Sequence, residues 1–186
     1  MRNYLFLLMI PLLFIYMNYR LAELSDIDAI MAIIEDGRAL LATQNSGQWQ
    51  DGYPNRDTFI DDIKNQNLYV VLENNNLDNI VGVCALTYHE DDYDHLYEGA
   101  WLTDLPYMVM HRIAVKKEFR NQGYGKDLFR VFIEVAKKKG YRSLRVDTHE
   151  NNIRMRNIMK EFGFIYCGKA ILTPNKDRMV FEKVIL

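Results

Sequence analysis

The chain has 186 residues, a formal net charge of −2 at pH 7 and a hydrophobic content of 49%. This length and composition predict one globular domain with a substantial core. The near-neutral charge, with no basic stripe along the sequence, argues against a nucleic-acid-binding surface. The two cysteines, Cys84 and Cys167, each lie inside an apolar run without metal-ligand spacing, so we expect buried free thiols and no metal.

Residues 1–16 form an apolar N-terminal extension, MRNYLFLLMIPLLFIY. Arg2 and the apolar run after it resemble a signal peptide, but no small-residue cleavage site follows. The run is also short for a membrane span, and Pro11 interrupts it. We therefore expect the domain to cover residues 17–186, with Met17 as the true start or the extension as a lineage-specific addition. A membrane anchor is the remaining alternative.

The N-terminal half predicts a strand, two helices and a hairpin. Ser25 and Asp26 are suited to begin a helix, along which apolar residues share one face until Asn45-Ser46-Gly47. A turn-rich link then leads to a second helix over Arg56–Lys64. The predicted strands cover residues 18–22, 68–73 and 80–88, and an asparagine-rich turn joins the last two.

Residues 89–104 form an unusually acidic loop with aromatic residues between the acids. The acids are Glu90, Asp91, Asp92, Asp94 and Glu98. One interpretation is a solvated loop. The other is an attractive rim for a cationic ligand, because clustered carboxylates raise the local concentration of cations.

The central segment runs from a strand through a glycine turn into a helix. Tyr107–Val115 is apolar and rich in β-branched and aromatic residues, which is typical of a buried strand. Arg120-Asn121-Gln122-Gly123-Tyr124-Gly125 then opens a helix that ends at Gly140 after three lysines. Because glycines let a ligand approach the backbone and the first helical amides lack partners, the turn is suited to bind phosphate.

The C-terminal part predicts a strand, a helix and two further strands. Ser143–Thr148 should pair beside Tyr107–Val115, and a helix should begin at Asn151 or Asn152 and end at Gly163. The last strands are predicted over residues 164–172 and 178–185, with a turn between them.

Two motifs in this order resemble the GNAT N-acetyltransferase family. Ile113-x-Val115 followed by Arg120-x-x-Gly123-x-Gly125 is similar to its acetyl-CoA signature, and Asn152-x-x-Met155 with Glu161-Phe162-Gly163-Phe164 is similar to the second half of the pattern. The turn is neither a Walker loop nor a dinucleotide fingerprint. The resemblance implies an α/β (α+β) fold, in which helices flank a mixed, mostly antiparallel sheet with splayed central strands.

The resemblance also implies an acetyl-CoA site along the central segment. The freed backbone groups of Ile113 and Val115 would pair with the pantetheine arm, and the Ile113 N–H would point at the thioester oxygen, where negative charge develops. Backbone amides from Gln122 to Lys126 would take the pyrophosphate. The full set of expected contacts is Ile113, Ala114, Val115, Arg120, Asn121, Gln122, Gly123, Tyr124, Gly125, Lys126 and Asn152.

The acceptor side should be lined by the segment between the first two helices. In the resembled fold this segment lies over the acceptor, which makes Trp49 and Tyr53 candidates for the substrate wall. Aromatic plugs that pin the loop to the core are the alternative. Glu98 of the acidic loop is the third candidate for acceptor binding.

Proton handling departs from the family pattern. Many members use a tyrosine four residues before the Gly-Phe pair to protonate the thiolate, and here that position is Met159, which cannot donate a proton. For the base, His149 closes the strand beside the thioester with Asp147 on the same face, whereas His111 shares strand parity with Ile113. The alternative for each histidine is a structural, hydrogen-bonded role.

The resemblance therefore implies transfer of acetyl from acetyl-CoA to a primary amine of a small molecule, amino acid or peptide by direct attack. We expect a cytoplasmic enzyme without metal, nucleic-acid or membrane partners; monomer and homodimer both stay open. An acyl-CoA-binding sensor without efficient turnover is the alternative, because Met159 removes the usual acid. A membrane-tethered enzyme is a third, which depends on residues 1–16 alone.

Overall fold

The computed structural model describes residues 17–172 and 176–185. The predicted N-terminal extension, and the predicted turn after residue 172 in part, lie outside the described residues. Within the described ranges, no helix is both long and apolar enough to cross a membrane.

The described residues form four α-helices and eight strands. The helices are α1 (Ile27–Ala42), α2 (Arg56–Lys64), α3 (Tyr124–Lys138) and α4 (Ile153–Glu161). The strands are β1 (Tyr19–Leu21), β2 (Leu68–Glu73), β3 (Asn76–Tyr88), β4 (Glu98–Gly99), β5 (Tyr107–Val115), β6 (Ser143–Thr148), β7 (Ile165–Leu172) and β8 (Lys176–Val184). Most predicted elements fall within a few residues of these bounds.

The strands form one sheet in the order β1-β2-β3-β5-β6-β8-β7-β4. Every neighbouring pair is antiparallel except β5 and β6, which run parallel. The parallel register covers only Tyr107–Val109 against Ser143–Arg145. Beyond it β5 stays paired with β3 while β6 stays paired with β8, so the two central strands splay apart. The predicted fold class is confirmed.

The helices cover both faces of the sheet with separate apolar clusters. Phe129 and Phe132 of α3 and Met159 of α4 pack on one face. Ile30 and Ile34 of α1 pack on the other. Burial of these side chains supplies the main driving force for folding, at about 25 cal/mol per Å² of apolar surface. Cys84 and Cys167 are buried and unpaired, as the sequence predicts.

The acidic loop between β3 and β5 is more structured than a solvated loop. Tyr93 is fully buried, and its ring stacks on Trp101 with centroids 5.6 Å apart. β4 pairs with β7 at the edge of the sheet. Nearby, Arg145 lies between the rings of Trp101 and Tyr107, at 4.0 and 3.7 Å from their centroids. The aromatic residues between the acids therefore anchor the loop to the sheet.

Candidate active site

A cavity of about 680 Å³ lies in the opening between β5 and β6. It extends from the glycine turn before α3, along the last residues of β5, to a cluster of charged side chains from the acidic loop, β6 and β8. α1 and the loop after it form the opposite wall. One continuous space therefore connects the glycine turn, which is suited to bind phosphate, with the cluster of charged side chains.

The glycine turn has the backbone geometry of an anion site. Gly123 has φ +96°, a left-handed conformation that side chains other than glycine rarely adopt, and α3 begins at the next residue. The amides of Lys126 and Asp127 already donate to Gly123 O, so the amides available to an anion are those of residues 122–125. This narrows the predicted set, because the Lys126 amide is committed to the helix. The turn fits a pyrophosphate group.

Basic side chains surround this end of the cavity. Arg120, Lys126 and Arg154 all line it. Arg154 is the one of these three basic residues that the sequence analysis did not name. Its position in the first turn of α4, two residues after Asn152, could have indicated it. Its Nη1 lies 3.4 Å from Asn121 Oδ1, so α4 is tied to the glycine turn.

The open edge of β5 supplies unpaired backbone donors. Lys116 N–H donates to Val81 O of β3 at 2.9 Å. Because successive backbone groups along a strand point to opposite edges, Ile113 and Val115 direct their N–H groups toward the splay. Val115 O accepts a hydrogen bond from Arg120 Nε at 3.0 Å, so that carbonyl already has a partner.

His111 lies between two carboxylates at the polar end of the cavity. Its Nδ1 is 3.5 Å from Asp147 Oδ1, and its Nε2 is 3.1 Å from Glu90 Oε1. The second contact is an ion pair by distance but lacks hydrogen-bond alignment, so Nε2 is a buried atom without a hydrogen-bond partner among the described residues. Tyr93 donates to Asp147 Oδ1 at 2.7 Å, and Arg178 Nε lies 3.6 Å from Asp147 Oδ2.

The carboxylates determine the charge state of this cluster. Burial lowers the pKa of His111, but Asp147 and Glu90 outweigh it and raise the pKa to about 9. Burial raises the pKa of Glu90, yet His111 and Thr87 hold it at about 2. The pKa of Asp147 is likewise lowered, since His111 and Tyr93 overcome the effect of burial. At neutral pH His111 is therefore a cation between two anions.

A second cluster of polar side chains joins β5 to α2 and to the loop between α1 and α2. Arg112 Nη1 donates to the Tyr53 hydroxyl at 2.6 Å, and Arg112 Nη2 donates to Asp62 Oδ1 at 2.8 Å. The side chains of Arg112 and Asp62 are each only 10% exposed. Two adjacent residues of β5 thus face separate acids: His111 faces Glu90 and Asp147, and Arg112 faces Asp62. A polar pair inside an apolar strand was the sequence signal for both.

The sequence matches the Acetyltransferase (GNAT) family model over residues 34–164. The chain belongs to the GNAT acetyltransferase family.

Individual GNAT proteins are also similar to this chain in sequence and in structure. A crystal structure of a GNAT-family acetyltransferase from Streptococcus agalactiae is 40% identical, with a TM-score of 0.81, over 90% of this chain and 95% of that chain. An uncharacterised N-acetyltransferase of Dictyostelium discoideum is 35% identical over 77 residues. A Bacillus subtilis protein named as a ribosomal protein bS18-alanine N-acetyltransferase is 33% identical over 67 residues. These two matches span 41% and 36% of this chain, and 36% and 44% of the two relatives.

The position of the usual GNAT acid lies inside the core. Met159 is fully buried against the α3 side of the sheet and is not among the residues that line the cavity. Its neighbours Met155 and Ile158 do line it. The chain therefore presents no proton donor to the cavity from position 159.

Asn152 and His149 lie where β6 leads into α4. The side chain of Asn152 caps α4 by accepting from Met155 N–H at 3.3 Å, and Asn152 also lines the cavity. His149 Nδ1 accepts the Asn151 backbone N–H at 3.1 Å, and His149 is not among the cavity-lining residues. The expected pairing of Asp147 with His149 is not formed. β6 ends at Thr148, so His149 lies beyond the strand and does not share its face with Asp147, which contacts His111 instead.

The predicted acceptor wall is assembled only in part. Trp49 and Tyr53 both line the cavity, and Trp49 is also packed in the apolar cluster that contains Ile30 and Ile34 of α1. The placement of Glu98 was wrong: it lies on β4 at the sheet edge, with its carboxylate near Lys169 and Tyr166. The acids of that loop that do line the cavity are Glu90 and Asp92.

Proposed function

We propose that this GNAT protein transfers acetyl from acetyl-CoA to a primary amine of a small molecule, amino acid or peptide by direct attack. The observation that carries the proposal is the single cavity that joins the glycine turn, the open edge of β5 and the acid–histidine cluster. A cofactor-sized ligand and an acceptor both need this continuity, since the reacting atoms must meet in the middle.

The residues of the chain fit acetyl-CoA at one end. The amides of residues 122–125 and the side chains of Arg120 and Arg154 would bind the pyrophosphate. The free N–H groups of Ile113 and Val115 would pair with the pantetheine arm, and Asn152 at the start of α4 also lines this space. The Ile113 N–H would stabilise the charge that develops on the acyl oxygen. Bound acetyl-CoA supplies an activated acyl carbon with a thiolate leaving group.

The acid–histidine cluster would handle the amine. Glu90 and Asp92 attract the protonated form of the acceptor into the cavity. His111 holds its own proton at neutral pH, so it becomes a base only as the pH approaches its pKa of about 9. Asp147 then fixes the ring through Nδ1, and Nε2, which faces Glu90, would take the amine proton. We therefore propose His111 as the base and Asp147 as its positioning residue. His149, the other candidate, is already engaged in the turn before α4.

A panel of amines separates an enzyme from an acyl-CoA sensor. The buried Met159 is the observation that favours the sensor. Purified protein is incubated with acetyl-CoA and cationic small amines, amino acids or peptides, and products are identified by mass spectrometry. We expect an N-acetylated product that requires active protein. Binding of acetyl-CoA without any acetylated amine across the panel would favour the sensor instead.

A further inference from the structure

Tyr53, from the loop between α1 and α2, lines the cavity. Its hydroxyl oxygen accepts a hydrogen bond from Arg112 Nη1 at 2.6 Å, and the Arg112–Asp62 pair behind it is nine-tenths buried. Of the described residues that line the cavity, Tyr53 is the only tyrosine. A buried ion pair therefore fixes this phenol in the cavity.

The backbone of β5 is shaped to make this contact. Ala85 pairs with His111 and Val83 pairs with Ala114, so Arg112 and Ile113 together face the single residue Cys84 in a β-bulge. Arg112 has φ +53°, an unfavourable left-handed value for a side chain of this size. The bulge presents the Arg112 guanidinium to Tyr53 immediately beside Ile113, whose N–H is the proposed acyl-oxygen donor.

The hydrogen-bond pattern makes Tyr53 a proton donor toward the cavity. A guanidinium carries only donors, so Arg112 occupies a lone pair of the phenol oxygen and leaves the O–H to point elsewhere. Burial raises the pKa of Tyr53, Arg112 opposes this, and the charges of Asp147 and Asp62 add to the rise.

We infer that Tyr53 is the general acid that protonates the departing sulfur, in the role that Met159 cannot perform. The inference rests on the proposed acetyl transfer. As the carbon–sulfur bond breaks and its electron pair stays on sulfur, Tyr53 delivers its hydroxyl proton there. Arg112 stabilises the phenolate that remains, and the amine proton that His111 took up is then passed on to restore the phenol. Amine and thioester thus yield amide and thiol with no proton gained or lost overall.

The test compares Tyr53→Phe with wild type and with Tyr97→Phe, an exposed tyrosine whose hydroxyl bonds to Asp177 at 2.7 Å. We expect Tyr53→Phe to lower kcat by about 10²-fold, the low end for a positioned acid. The dissociation constant for acetyl-CoA should stay unchanged, and Tyr97→Phe should match wild type.

Changing the leaving group of the thioester distinguishes a general-acid role of Tyr53 from a structural role. S-acetyl thiophenol releases a thiolate that needs no protonation, so the loss in Tyr53→Phe should nearly vanish with this donor. An equal loss with both thioesters, or a wild-type kcat with acetyl-CoA, would overturn the assignment. If wild type itself acetylates no amine, the proposed function fails, which is a distinct outcome.

Discussion

His111 offers the sharpest physical test of the site, because its charge depends on two carboxylates that folding brings to it. Its side chain is 12% exposed, and its pKa rises from an ordinary 6.5 to about 9. Since a tenfold change in proton affinity corresponds to about 1.4 kcal/mol, this rise stabilises the folded state by about 3 kcal/mol. The low pKa of Glu90 reports the same attraction and is not added to it.

The sign of the pH dependence follows from the raised pKa. The stabilisation is fully present below pH 6.5 and is lost as the pH rises toward about 9. The free energy of unfolding, from urea titrations at intervals across this range, should therefore fall by about 3 kcal/mol in wild type. His111→Asn should be less stable at pH 6 and should lack most of this fall. His95→Asn, an exposed histidine in the acidic loop, is the matched control and should keep it. Stability that is flat or rising over this range in wild type would refute the assigned charge state.

Two further predictions concern the two ends of the cavity. Acetyl-CoA at a hundredfold excess over its dissociation constant should stabilise wild type by about 2.7 kcal/mol. Gly123→Val should lose this stabilisation, because a β-branched residue is strained at the backbone angle φ +96°. An unchanged stabilisation in the variant would mean that acetyl-CoA binds elsewhere. Neutralising Asp91, Asp92 and Asp94 together should lower kcat/KM for a cationic amine at low salt. That loss should shrink as salt rises, since exposed charges are screened over about 10 Å at 0.1 M, and a salt-independent loss would contradict electrostatic steering.

Local patterns in the sequence were enough to predict most of the helices and strands, including the strand, turn and helix that we propose bind acetyl-CoA. α2 covers the predicted range Arg56–Lys64, and the side chain of Asn55 just before it accepts from Thr58 N–H, a favoured contact at a helix start. Gly123 has the left-handed conformation that a tight turn into a helix requires. The splay of β5 and β6 followed from the resemblance alone, because no local residue pattern encodes where two parallel strands separate.

His111, Asp147 and Tyr53 were each candidates from the sequence, but the arrangement proposed for proton handling could not be predicted, because distant segments assemble it. Glu90, His111 and Asp147 come from three elements, and Tyr53 meets Arg112 across 59 residues of sequence. Strand parity was also misleading. It placed Asp147 beside His149, but β6 ends at Thr148, and the bulge at Arg112 changes the direction of side chains along β5.

The most direct test of the account is an initial-rate matrix in which acetyl-CoA and the best amine are both varied. Direct attack requires both substrates in the cavity at once, so the double-reciprocal lines should intersect and CoA release should depend on the amine. Parallel lines would indicate an acetylated protein intermediate and would contradict direct transfer across the β5–β6 opening.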